Sequence, residues 1–160
     1  MPRTLFAVFL LSALSAQAAE PARFVGQKSL PDGQTVVVAE GDLEARSVGS
    51  YSVRLYEAAQ APDATTFFIS GIVMPRDGVV TEVLLDDADT DGQVEVVVVT
   101  RSVGAGGYLS ARVFDVLDGR IDPLITVTDL PADARVLEVL KDKATVRDEV
   151  KKRQADRLKK

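Results

Sequence analysis

The chain of 160 residues contains no histidine, no cysteine and no tryptophan. Without histidine there is no serine–histidine triad and no imidazole ligand for haem. Without cysteine there is no thiol nucleophile, no thiol redox chemistry and no disulfide, and zinc loses both of its usual ligands. Any catalysis would have to rest on carboxylates, lysines or tyrosines. Long apolar stretches are missing too: the longest, residues 5–14 (LFAVFLLSAL), has ten residues, against the roughly 20 that a membrane-spanning helix needs. What is present, 46% hydrophobic and 27% charged residues, suits one ordinary domain with its own core, neither collagenous nor wholly disordered.

Charge is spread unevenly. The formal net charge is −5, but residues 141–160 carry nine basic and four acidic side chains, whereas residues 4–140 carry nine basic and 20 acidic ones, a net −11. An acidic body of this kind repels nucleic-acid phosphates and attracts basic partners. In the tail, Asp148/Lys152, Glu149/Arg153 and Asp156/Lys160 are acid-then-base pairs at i,i+4, the pattern of a solvated, salt-bridged helix.

The N-terminus reads as an export signal. Arg3 supplies the positive start, residues 5–14 the apolar run, and Ala16-Gln17-Ala18 the small-residue cleavage signature. Residues 1–19 are therefore expected to be a secretory signal peptide, residues 20–140 a folded domain and residues 141–160 a charged helical or disordered tail. The product is expected outside the cytoplasm, with no membrane insertion after signal removal. The absence of cysteine leaves core packing as its source of stability there.

In the body, Asp32-Gly33, Asp77-Gly78, Asp91-Gly92 and Asp118-Gly119 are each expected to form a tight hairpin turn, since both residues tolerate positive φ. Between them lie seven runs rich in valine, threonine, isoleucine and aromatics: 35–39, 51–56, 66–73, 79–85, 94–101, 108–116 and 121–128. Residues 94–99 are apolar except for Glu95, as in a central strand covered on both faces. The expected fold is all-β: a small antiparallel β-sandwich or flattened barrel. A short C-terminal helix follows from Val136, Leu137, Leu140 and Ala144 at helical spacing.

Two loops carry chemistry. Asp87, Asp89, Asp91 and Glu95 fall at positions 1, 3, 5 and 9 of a segment with glycine at position 6, a spacing that can wrap oxygens around calcium. Position 12 is Val98 rather than glutamate and strands flank the loop, so it is no EF-hand. It is either a β-hairpin calcium loop, as in a calcium-stabilised module for adhesion or envelope interactions, or an acidic turn whose aspartates cap their own backbone. No other cofactor is expected. The second loop, Ser102-Val103-Gly104-Ala105-Gly106-Gly107-Tyr108, has three glycines in seven residues and lacks the Lys-Ser/Thr of a phosphate loop. It is either a wide hairpin with Tyr108 packed on the sheet edge or a protruding binding loop tipped by that tyrosine. The start Arg46-Ser47-Val48-Gly49 recurs at Arg101-Ser102-Val103-Gly104, which places two similar loops on one rim. The carboxylate pairs Asp86/Asp87 and Glu82/Glu95 have the composition a glycosidase requires, but no spacing that fixes their separation.

Four blocks in order, Ser47 to Tyr56, Arg76-Asp77-Gly78, the Asp87 to Glu95 loop and Arg101 to Ala111, resemble the periplasmic inhibitors of invertebrate-type lysozyme. The resemblance covers about residues 46–140. It implies a small antiparallel β-sandwich in the bacterial periplasm with no enzymatic activity, often a homodimer, that blocks a muramidase by pushing a loop into its substrate cleft. That loop carries Ser-Gly-x-Tyr in the family; the matching residues here are Ala105-Gly106-Gly107-Tyr108. The resemblance thus assigns the inhibitory loop to Ser102, Gly104, Ala105, Gly106, Gly107 and Tyr108 and makes invertebrate-type lysozyme the expected partner. The missing serine hydroxyl is expected to weaken inhibition by about tenfold to a hundredfold, unless Ser102 or the N–H groups of Gly106 and Gly107 replace it.

Overall fold

The structure is a computed structural model and describes residues 21–145. Eight strands form two antiparallel four-stranded meanders. The first contains β1 (Val25–Ser29), β2 (Thr35–Glu40), β3 (Val48–Tyr56) and β4 (Phe68–Asp77); the second contains β5 (Val79–Asp86), β6 (Glu95–Arg101), β7 (Leu109–Leu117) and β8 (Arg120–Leu130). A helix, α1, covers residues 136–145. The sheets do not close on one another, so of the two expected architectures the chain adopts the sandwich.

Two apolar layers hold these pieces together. Between the sheets, Val36, Val38, Val53 and Leu55 meet Val80, Val83, Val96, Val98 and Phe114, and the Tyr51 ring meets Phe114 edge-on at 6.3 Å. On the far side of the second sheet, Val97, Val99, Ala111, Val113 and Ile125 pack under Leu140 and Ala144. Strand β6 therefore sends alternate valines into two separate cores, which is why its sequence is almost unbroken valine. Lys141 ties α1 back to Asp86 at 2.9 Å, and Lys143 Nζ donates to the Thr126 carbonyl. The helix runs through residues 140 and 141, with Leu140 and Ala144 both fully buried. The export signal and the acid–base pairs Asp148/Lys152, Glu149/Arg153 and Asp156/Lys160 lie outside the described residues.

Two expectations need correction. Asp77-Gly78 is not a hairpin turn; it carries the chain from the end of β4 in one sheet to the start of β5 in the other. Gly78 has φ +88°, its N–H donates to the Ser47 carbonyl at 2.7 Å, and a Cβ there would sit 1.9 Å from the Arg101 carbonyl oxygen. Only glycine fits such a crossing. Strand β1 was not foreseen, because VGQKS alternates too little to signal a strand; it exists by pairing all five residues with β2. Asp118-Gly119, by contrast, is the two-residue hairpin expected of it: both residues have positive φ, 52° and 74°, between the paired Leu117 and Arg120.

Candidate functional site

The glycine loop joins β6 to β7 and stands at one end of the second sheet. Its base is closed by Ser102 N–H donating to the Tyr108 carbonyl at 2.9 Å and by Arg101 Nη1 donating to the Gly107 carbonyl at 3.0 Å. Inside it, Gly107 N–H donates to the Gly104 carbonyl at 3.3 Å, so of the groups offered as substitutes for a serine hydroxyl this one is already engaged within the loop. Gly106 has φ +108°, and a Cβ there would lie 2.7 Å from the Tyr108 ring. The ring therefore packs against the bare Cα of Gly106 and leaves half of the side chain in solvent: Tyr108 is 50% exposed and Val103 56%. Ala105 is exposed, Ser102 half-buried at the base, and Gly104 lies at the exposed turn. Of the two readings of the loop, a tyrosine presented outward fits better than one sealed into a sheet edge.

A buried arginine braces the rim beside this loop. Arg76, its side chain fully buried, donates to the carbonyls of Ala45, Arg46, Ser50 and Gly78. Its charge is balanced by Glu40 at 3.8 Å and Glu44 at 3.7 Å. Glu40 in turn accepts the Val80 and Phe24 N–H groups at 2.7 and 3.2 Å, so this buried charge sits in a satisfied network. Hydrogen bonds from the Ser50 hydroxyl and N–H, followed by the positive charge of Arg76, hold the Glu44 carboxyl below its ordinary range. Gly78 lies between the two similar loops: it is bonded to Ser47 on one side and pressed against Arg101 and Ser102 on the other. The recurring Arg-Ser-Val-Gly stretches do share a rim. The role of Arg76 was not legible in the sequence, where it is one arginine before a turn.

The acidic residues gather at the opposite end of β6. Oxygens of Asp87, Asp89, Asp91 and Glu95 all lie within 4.8 Å of one another. Most of their partners are local N–H groups: Glu95 accepts Ala88 at 2.7 Å, Asp87 accepts Gly92 at 3.1 Å, Asp89 accepts Asp91 at 3.3 Å and Asp91 accepts Gln93 at 2.8 Å. Self-capping and close oxygen spacing thus come from the same geometry, although Asp91 spends both oxygens on Gln93, the second on its side-chain Nε2 at 3.3 Å. Asp87 Oδ1 is buried without a partner. Burial first, then the charges of Asp89 and Asp91, pushes Glu95 up to about 7 despite the Ala88 bond. Burial, and after it the charge of Asp91, also raises Asp115. The Asp86/Asp87 pair is divided, with Asp86 on Lys141 and Asp87 in the turn.

Taken together, an all-β sandwich with an exposed, braced loop and with carboxylates committed to turn or helix contacts defines a scaffold for recognition. The chain belongs to the family described as periplasmic lysozyme inhibitor of I-type lysozyme, whose model matches residues 22–144. It is similar to the crystal structure of that inhibitor from Aeromonas hydrophyla, with 42% identity and a TM-score of 0.68 over 74% of this chain and 99% of the other. It is also similar to the Aeromonas hydrophila inhibitor solved in complex with Meretrix lusoria lysozyme, with 43% identity and a TM-score of 0.67 over 73% and 94% of the two chains. No curated protein matches the sequence. Among the described residues, no helix is long and apolar enough to cross a membrane.

Proposed function

We propose that this chain, exported to the periplasm, inhibits invertebrate-type lysozyme by inserting loop 102–108 into the enzyme's substrate cleft, and that it has no catalytic activity of its own. The observation that carries the reading is the outward tyrosine on a glycine loop clamped at its base, in a family of lysozyme inhibitors. Glycosidases flank their substrate with two carboxyl groups; a narrow loop can enter that groove, and the Tyr108 hydroxyl can donate to a carboxylate. A rigid tyrosine brings large contact area at small entropic cost. The acidic body favours encounter with a basic enzyme surface.

The experiment is inhibition of an invertebrate-type lysozyme on peptidoglycan by the mature chain and by Tyr108→Ala. Loss of a central aromatic anchor typically costs about 2–4 kcal/mol, so inhibition should weaken by roughly 30-fold or more. The melting temperature should hold, since the side chain is half exposed. Unchanged inhibition by a folded Tyr108→Ala protein would refute the loop assignment. Homodimerisation through a free sheet edge, which the family resemblance also implies, is tested by the sedimentation coefficient of the same preparations.

A second reading concerns the acidic turn. The convergence of four carboxylates, with Asp87 Oδ1 unpartnered, favours calcium binding by Asp87, Asp89, Asp91 and Glu95 as a stabiliser of the β5–β6 connection. It predicts a melting temperature that rises with millimolar calcium and falls back with chelator. A melt indifferent to both would leave the turn as a self-capped one.

A further inference from the structure

Toward the glycine-loop end, the inner face of the second sheet changes character. Deeper in, Val96, Val98 and Phe114 fill the core; nearer the rim the same face carries Thr100, Ser110, Arg112, Thr126 and Thr128. Facing them across the sandwich are Tyr51, Pro75 and Asp77, and the two walls enclose a cleft of about 280 Å³. That volume lies at the small end of ligand sites and suits a molecule of a few heavy atoms or one acidic side chain.

Arg112 is the cation of this cleft with a donor to spare. Its Nε donates to Thr126 Oγ1 at 3.4 Å, and its positive charge acts on the Tyr51 hydroxyl, partly offsetting the upward push of burial. Its Nη1 is shielded from solvent and has no acceptor. A buried donor without an acceptor is costly in a folded protein, and a charged donor more so. The surrounding hydroxyls can both donate and accept, so a bound anion's second oxygen also has partners. The charge balance selects the class of anion. Arg76 also lines the cleft, but its nitrogens are committed to four carbonyls and its charge is balanced by Glu40 and Glu44. That leaves one guanidinium with a free donor, while the Asp77 carboxylate on the opposite wall adds negative charge, which disfavours a dianion such as phosphate and leaves a monoanion.

We infer that the cleft between the sheets, centred on Arg112, binds a small carboxylate. The inference does not depend on how loop 102–108 acts. The carboxylate can belong to a free small molecule or to an acidic side chain of a bound protein, and the recognising chemistry is the same.

The test is a ¹⁵N-¹H NMR titration of the mature chain with sodium acetate and with sodium glucuronate, each against sodium chloride of equal ionic strength. Saturable shifts at Tyr51, Thr100, Ser110, Arg112 and Thr126 are expected, weakened about tenfold or more by Arg112→Gln and strengthened by Asp77→Asn. Binding that persists unchanged in a folded Arg112→Gln protein overturns the inference. Should Arg112→Gln fail to fold, Asp77→Asn decides: unaltered affinity there overturns it. A second arm measures lysozyme binding with and without saturating acetate. Competition assigns the site to a partner's carboxylate, and its absence alongside acetate binding assigns the site to a free ligand. Neither acetate nor glucuronate binding, together with lysozyme affinity untouched by Arg112→Gln, refutes the site.

Discussion

The two ends of β6 are built on opposite principles. At its start, the acidic turn folds carboxylates back onto its own N–H groups, so the side chains serve the backbone and one of them, Glu95, is buried. At its end, the glycine loop is closed by contacts at its base, Ser102 to Tyr108 and Arg101 to Gly107, and leaves Val103 and Tyr108 in solvent. The first arrangement secures the sandwich and the second presents a surface. A loop whose side chains do not cap its own backbone is available to another molecule, provided that its base is held. Here Ser102 and Arg101 close the base, and the Gly78 crossing, whose carbonyl accepts from the buried Arg76, packs against Arg101.

The largest effect is expected from breaking that support. Gly78→Ala would set a side chain against the Arg101 carbonyl in a left-handed backbone conformation. It should cost about 3 kcal/mol or more in chemical denaturation and weaken inhibition as well, because Arg101 anchors the loop. An unchanged denaturation midpoint would show that Gly78 is not the keystone of the rim. Next in size, Ala105→Ser should strengthen inhibition by about tenfold to a hundredfold, through a new hydroxyl bond of about 1.5–3 kcal/mol to a charged group of the enzyme. Stability should not change, since Ala105 is exposed; an equal or weaker inhibition constant would mean that the loop enters in a different pose.

At the other end of β6 the expected effect is smaller and depends on pH. With chelator present, the folded chain keeps the Glu95 proton until about pH 7, whereas the unfolded chain releases it near the ordinary glutamate value of 4.5. The folded state binds more protons between those values, so this group's contribution to stability is full below the lower one and declines as pH rises through the upper one. Thermal melts from mildly acidic to mildly alkaline pH should fall accordingly, and Glu95→Gln should flatten the slope. A slope unaffected by the substitution would place the titrating group elsewhere.

Much of the fold was legible because the valines announce it. The near-continuous apolar run at 94–99 marks a strand between two cores, and the 136, 137, 140, 144 spacing marks the helix that covers one of them. Asp118-Gly119 is a turn whose chemistry is local, so its type could be read directly. Asp77-Gly78 has the same dipeptide but a different task, since what decides it is the approach of Arg101, 23 residues on in the chain and paired with Val79. β1 escaped for a similar reason: its partner, not its composition, makes it a strand. The acidic cluster and the glycine loop were visible as runs of residues. Arg76 and Arg112 were not, because each is a lone arginine whose meaning comes from carbonyls or hydroxyls brought to it by other strands.

The central claim is that the braced glycine loop makes this chain an inhibitor of one class of lysozyme. Its most direct test is residual peptidoglycan hydrolysis by invertebrate-type, chicken-type and goose-type lysozymes, each titrated with the mature chain. The account predicts saturable loss of the invertebrate-type activity with the other two little affected. Full activity of all three enzymes at excess chain, or equal loss across them, would contradict it.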